Sequence, residues 1–124
     1  MQAVKKKLLV VEDIESILEV MKITLEDAGY LIETAGNGEE LKLKLQKKLP
    51  GLVILDYWLP GENGGILTKY IKNTEKTNTL PVIMISANHN IEKTAYACGV
   101  DAFLPKHFDI AEFLATVKKY LIQE

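Results

Sequence analysis

Five polar side chains stand where short apolar runs stop. Glu12 and Asp13 follow Leu8, Leu9, Val10 and Val11; Asp56 follows Leu52, Val53, Ile54 and Leu55. Ser86 follows Val82, Ile83, Met84 and Ile85, and Lys106 comes two residues after the run of Ala102, Phe103 and Leu104. Three acids, a hydroxyl and an ammonium are complementary types, which packing alone does not require. Carboxylate and carbonyl oxygens suit Mg²⁺, a hard cation that keeps several waters and shares phosphate oxygens. Lysine brings a point charge to the remaining phosphoryl oxygens, and a serine hydroxyl can donate to another. Phosphoryl transfer asks chiefly for positioning and charge neutralisation. A carboxylate can itself be the nucleophile, giving an acyl phosphate.

For these residues to converge, the runs that carry them must be neighbouring strands. Each run is short, continuous and apolar, as in a strand buried on both faces. Between them lie helical patterns. Ile14, Ile17, Leu18, Met21, Leu25 and Ala28 recur at three and four, and Gly29 stands where such a helix stops. A second strand is expected over residues 30–34. Asn37 with Glu40 three residues on reads as a helix start before Leu41, Leu45 and Leu49, although residues 41–45 alone alternate like a strand. The cap and the fourfold spacing decide for helix.

Pro60, Gly61, Gly64 and Gly65 read as loop-bending residues before a helix with Ile66, Leu67, Tyr70 and Ile71 on one face. A shorter helix over residues 91–97 should stop at Gly99. Asp109 should cap a last helix with Ile110, Phe113, Leu114, Val117 and Leu121 inward. Ile91 and Tyr96 are likewise read as packing residues. Five β–α repeats imply a parallel sheet covered by helices on both sides, an α/β fold. In such a sheet, ligands bind beyond the carboxyl ends of the strands, where all five polar groups would meet.

Composition narrows the function classes. The 124 residues are 48% hydrophobic and 26% charged, with a net charge of -2. That is the size of one domain. All fifteen basic residues are lysine, so an anion site has no guanidinium fork and relies on lysine and backbone N–H groups. No concentrated basic face suggests nucleic acid. Cys98 stands alone, which leaves no intrachain disulfide and no cysteine-based metal cluster. Lys5 to Lys7 read as a solvated lead-in, with no apolar stretch of signal-peptide or membrane-spanning length after them. A reducing, cytoplasmic location is expected.

The ordered segments LLVVEDIESI, TAGNGEEL, LVILDYWLPGENGG, PVIMISA, CGVDAFLPK and FDIAEFL resemble the receiver domain of two-component response regulators. The resemblance runs from Lys7 to Leu121. It implies a doubly wound (βα)5, flavodoxin-like three-layer sandwich, with a five-stranded parallel sheet in the order 2-1-3-4-5. Residues 1–124 would form a single receiver unit.

In that family pattern Asp56 is the phosphoacceptor. Glu12 and Asp13 are the acidic pair around Mg²⁺, Asp13 the direct ligand and Glu12 more often acting through water, and the main-chain carbonyl of Trp58 completes the protein ligands. Ser86 follows the phosphoryl group, Lys106 binds it, and Phe103 occupies the aromatic switch position. Phosphorylation would draw the Ser86 hydroxyl inward, open space for the Phe103 ring, and reshape the surface of the fourth helix, fifth strand and fifth helix. The implied partners are a histidine kinase or histidine phosphotransfer protein upstream and an output protein or domain downstream. No direct nucleic-acid or membrane contact is implied. A phosphorylation-dependent homodimer, a stand-alone protein and a segment of a larger regulator or hybrid kinase all fit.

Two positions depart from the family pattern. His107 follows Lys106 where most members carry proline. A cis bond before a non-proline residue costs roughly 2.5–4 kcal/mol, so Lys106–His107 is expected trans. His107 is read as a loop residue rather than a ligand. Trp58 places bulk two residues past Asp56, and Asn88 lies two past Ser86. The indole either shields an acyl phosphate from water or simply packs on the loop. Among rival readings, an aspartate-nucleophile phosphatase lacks its general acid because Trp58 stands there. A flavin phosphate would meet the repulsive Glu12 and Asp13. An inactive scaffold does not explain five filled polar positions.

Overall fold

The structure, a computed structural model, describes residues 7–106 and 109–121. In chain order the elements are β1 (Lys7–Val11), α1 (Glu15–Asp27), β2 (Leu31–Ala35), α2 (Gly38–Lys47) and β3 (Leu52–Asp56). They continue with α3 (Gly64–Asn73), β4 (Val82–Ser86), a 3-10 turn at His89–Ile91, α4 (Glu92–Cys98), β5 (Ala102–Pro105) and α5 (Ile110–Tyr120). All strand pairs are parallel, and the sheet order is β2-β1-β3-β4-β5. This is the expected flavodoxin-like order. The chain reverses direction across the sheet between β1 and β3, and the crevice at their carboxyl ends is where such a fold receives ligands.

Alternation along the strands splits the core in two. Leu9, Val11, Val53, Leu55, Met84 and Phe103 face α2, α3 and α4, meeting Leu41, Leu45, Leu67, Ile71 and Ala95. Leu8, Val10, Leu52, Ile54, Ile83, Ile85 and Leu104 face α1 and α5, meeting Met21, Leu25, Phe113 and Val117. Every residue of β3 and β4 is buried. Each such aliphatic side chain contributes about 1.5–3 kcal/mol over its exposed state, so the central strands are the rigid base of the site.

Local chemistry sets the helix ends. Asn37 accepts from the Glu40 N–H at 2.9 Å, the first arm of a capping box, and Glu40 Oε1 reaches back one residue past the cap to accept from the Gly36 N–H at 3.2 Å. That cap decides residues 41–45 for helix. Asn63 caps α3 through the Ile66 N–H, and Asp109 caps α5 through the Ala111 N–H. Gly99 ends α4 at φ 106, in the left-handed region that a side chain disfavours.

Several expectations are corrected. Gly64 and Gly65 do not bend the loop; they form the first turn of α3, which presses on the end of β3. A Cβ at Gly64 would lie 2.5 Å from the Asp56 carbonyl oxygen and 2.8 Å from the Tyr57 Cα. Ile14 and Ile110 are exposed, because they sit at the entry to α1 and in the first turn of α5, away from the buried Met21, Leu25, Phe113 and Val117. Ile66 and Tyr96 point outward, and Leu49 lies past the end of α2 and is exposed. Lys7 is no lead-in but the first residue of β1, paired with Glu33 on β2 at 3.2 Å. Among the described residues, no helix is long and apolar enough to cross a membrane. The Lys106–His107 peptide lies outside the described residues.

Candidate phosphoacceptor site

The parity of the strands explains which polar groups meet. Glu12 continues the Leu8, Val10 series, Asp56 the Leu52, Ile54 series and Lys106 the Ala102, Leu104 series. All three therefore reach the carboxyl edge on the α1 and α5 side of the sheet. The register sets Val11 beside Leu55, so Glu12 and Asp56 emerge side by side. Ser86 continues the Met84 series on the opposite face. Lys106 is carried to this edge by its own N–H, which donates to the Ser86 carbonyl at 2.9 Å.

The result is a compact charged cluster. The Lys106 ammonium lies 3.0 Å from Glu12 Oε1 and 3.2 Å from Asp56 Oδ2. Carboxylate oxygens of Glu12, Asp13 and Asp56 lie within 4.8 Å of one another. Glu12 and Asp56 are buried while Asp13 is exposed, so the cluster opens to solvent on the Asp13 side. The second Glu12 oxygen, Oε2, accepts from the Ile14 N–H at 3.2 Å, fixing that carboxylate at the start of α1, which has no side-chain cap of its own.

The electrostatics follow from burial. Desolvation pushes the Asp56 carboxyl above the usual aspartate range, and the nearby Asp13 charge adds to the rise; Lys106 and the Trp58 N–H oppose it without cancelling it. Desolvation likewise raises Glu12, with Asp56 adding and Lys106 and the Ile14 N–H opposing. Burial alone would lower Lys106, but its contacts with Glu12 and Asp56 outweigh that and hold the ammonium above the ordinary lysine range. One cation for two buried acids leaves the cluster short of positive charge. Asp56 Oδ1 is the clearest sign of this: it is buried with no hydrogen-bond partner among the described residues. A buried, unpartnered carboxylate oxygen is costly, and here it lies amid all-oxygen donors suited to a hard divalent cation.

Ser86 is fully buried, and its Oγ accepts from the Asn88 N–H at 3.1 Å. Met84 pairs with Phe103 in register and Ser86 with Pro105, so Ser86 and Phe103 are diagonal neighbours on one sheet face. The Phe103 ring is already buried, at 8% exposure. Trp58 is 57% exposed and meets the Tyr57 ring edge-on at 4.8 Å; its indole lies on the surface and packs on the loop. The strands thus bring Glu12, Asp13, Asp56 and Lys106 into one cluster and set Ser86 beside it on the opposite sheet face. A contact absent from the sequence reading joins Lys42 to Glu62, twenty residues apart, at 2.6 Å. Nothing local in the sequence signals it.

Residues 8–118 match the response regulator receiver domain. The chain belongs to the response regulator receiver family. It is 35% identical over 117 residues to the phosphate regulon transcriptional regulatory protein PhoB of Rhizobium meliloti, covering 93% of this chain and 52% of that protein. The receiver thus spans about half the length of that relative. The fold superposes on the chemotaxis response regulator CheY4 of Vibrio cholerae with a TM-score of 0.87, at 31% identity, covering 95% of this chain and 100% of that one. The response regulator TrrA of Thermotoga maritima, solved in complex with Mg(2+)-BeF, gives a TM-score of 0.86 at 34% identity, covering 94% and 99% of the two chains.

Proposed function

We propose that this receiver is switched by a phosphoryl group carried on Asp56. The observation that carries the reading is the asymmetric Asp56 carboxylate, with Oδ2 held by Lys106 and Oδ1 buried without a partner among the described residues. A carboxylate fixed through one oxygen presents the other as nucleophile or metal ligand. Glu12, Asp13, Asp56 and the Trp58 main-chain carbonyl are the groups that would hold Mg²⁺, with Glu12 acting more through water. The unpartnered Oδ1 and the all-oxygen donor set fit that ion, and TrrA was solved with it. When bound, the cation neutralises charge that builds up on the phosphoryl oxygens.

An oxygen of Asp56 attacks the phosphorus of the donor, a bond from phosphorus to the donor atom breaks, and the donor keeps that electron pair and takes up a proton. The donor is a phosphohistidine of a kinase or phosphotransfer protein. Lys106 moves its charge from Oδ2 to a phosphoryl oxygen. The Ser86 hydroxyl, acceptor to the Asn88 N–H, keeps its own proton free to donate to another.

Displacing Ser86 toward that oxygen changes packing against Phe103, its diagonal neighbour, and so biases the surface of α4, β5 and α5 between two states. An output protein or domain reads that surface, and the phosphorylated form is able to pair with a second copy. The domain acts on no substrate but its own phosphoryl group, works in the cytoplasm, and is one receiver unit with no nucleic-acid or membrane contact of its own. Borohydride reduction after incubation with Mg²⁺ and a small phosphodonor, followed by peptide mapping, tests the acceptor. Modification confined to residue 56 is expected; modification elsewhere, or none, overturns the reading.

A further inference from the structure

Residues 57–63 link β3 to α3 and include the Trp58 carbonyl, so their placement decides whether that oxygen is available beside the acids. The loop is fastened at both ends. The Tyr57 N–H donates to the Ile85 carbonyl at 3.1 Å, the Gly64 N–H donates to the Tyr57 carbonyl at 2.7 Å, and Leu59 is buried in the core. Its tip is different. Pro60, Gly61 and Glu62 are exposed, and Gly61 turns through φ 78. A crevice of about 500 Å³, lined by Asn37, Gly38, Glu39, Lys42 and the tip itself, separates the tip from the start of α2. Across that crevice the Lys42 ammonium meets Glu62 Oε1 at 2.6 Å, while standing 4.6 Å from the centre of the Tyr70 ring of α3. The Trp58 N–H faces the Asp56 carboxyl at the start of the loop; among the described residues, no other side chain outside α3 and the loop bonds to the tip, residues 60–62.

We propose that Lys42 is a positioning residue for the cation site: its ion pair with Glu62 across the α2 crevice holds the tip of the 57–63 loop and thereby keeps the Trp58 carbonyl in place. The proposal rests on the reading of the acid cluster as a Mg²⁺ site. A loop fixed at its ends and slack at its tip samples many conformations, and a cation that needs one of them binds more weakly in proportion to that one's population. An ammonium spanning α2, the loop and α3 narrows the choice. The pair is partly exposed, so its effect is modest, about two- to fivefold.

The sign of the effect separates positioning from simple electrostatics. Removing a positive charge near an acidic cation site should tighten Mg²⁺ binding if charge alone matters. Positioning requires the opposite. The test uses the full chain with Lys42→Met and Lys42→Arg, titrating Mg²⁺ by the fluorescence of Trp58, the sole tryptophan. Amide hydrogen exchange of residues 58–62 is followed in parallel in EDTA. Lys42→Met should weaken Mg²⁺ binding about two- to fivefold and speed loop exchange without metal, and Lys42→Arg should restore both. Equal or tighter Mg²⁺ binding by Lys42→Met, unchanged loop exchange, or failure of Lys42→Arg to restore, overturns the proposal while leaving the site reading intact. A wild-type chain that shows no Mg²⁺ binding overturns both.

Discussion

The Lys106 ammonium engages one oxygen of the Asp56 carboxylate, Oδ2 at 3.2 Å, and leaves Oδ1 buried and without a hydrogen-bond partner among the described residues. The same ammonium also serves Glu12 at 3.0 Å. Among the described residues, one half-buried cation thus stands against two buried acids, with a third acid at the rim. This shortage of positive charge is an electrostatic strain that a divalent cation, or loss of an acid, would relieve.

Asp56→Asn should therefore stabilise the metal-free protein, by about 1–2 kcal/mol, because it removes a desolvated charge. Wild type should gain stability on addition of Mg²⁺, by about 2.7 kcal/mol at a hundredfold excess over its dissociation constant. The variant should gain far less. Thermal melts in EDTA and in Mg²⁺ check both; an Asp56→Asn variant that melts below wild type in EDTA contradicts the strain argument.

Lys106→Met acts in the reverse sense. It leaves Glu12 and Asp56 facing each other without their shared cation and should cost about 1–3 kcal/mol in EDTA, moderated because an acid can take up a proton. Mg²⁺ should then stabilise this variant more than it stabilises wild type, since the ammonium no longer competes for the same oxygens. Denaturant midpoints with and without Mg²⁺ measure the difference, and an equal gain in both proteins counts against the geometry.

The pH dependence follows from the raised acids. Between the ordinary carboxyl range and the raised folded values, the folded chain binds more protons than the unfolded chain, so stability falls as pH rises through that window and then levels. Lys106 contributes at the other end: its share is present up to the ordinary lysine value and is lost as pH rises through its raised folded value. Subtracting the Asp56→Asn urea midpoints from those of wild type, in EDTA, isolates the acid limb. That difference should become more unfavourable to wild type as pH rises through the window. A difference moving the other way is incompatible with desolvation as the dominant cause.

Backbone closeness at Gly64 predicts a sharp contrast with Gly38. A Cβ at Gly64 meets backbone atoms of Asp56 and Tyr57, which cannot move without moving the Asp56 carboxylate, whereas one at Gly38 meets the end of the Leu67 side chain, at 2.6 Å. Gly64→Ala should cost about 1–3 kcal/mol and weaken Mg²⁺ binding; Gly38→Ala should cost less and leave the metal site unaffected. Melting curves and Mg²⁺ titrations of the two variants decide it.

The acids, serine and lysine were readable because each closes an apolar run, and strand order then does the rest. Asn37, Asn63 and Asp109 announce helix starts through bonds spanning two or three residues, a range short enough to make the starts at Asn37 and Asp109 legible in the sequence. What periodicity misses is where a helix outruns its packing partners. Ile14 and Ile110 fit their apolar stripes yet stay exposed. Gly64 and Gly65 looked like loop residues because glycine marks both turns and close contacts, and only the tertiary fold tells the two apart. The Lys42–Glu62 tie depends on α2 and the 57–63 loop lying across one crevice, which no local pattern encodes.

The central claim is that Asp56 takes up one phosphoryl group with the help of a divalent cation. Intact mass after incubation with a small phosphodonor tests it most directly, with wild type in Mg²⁺, wild type in EDTA, and Asp56→Asn in Mg²⁺. Wild type in Mg²⁺ should gain the mass of a single phosphoryl group, and the other two samples should gain little or none. An equal gain by Asp56→Asn, or no gain by wild type, contradicts the account.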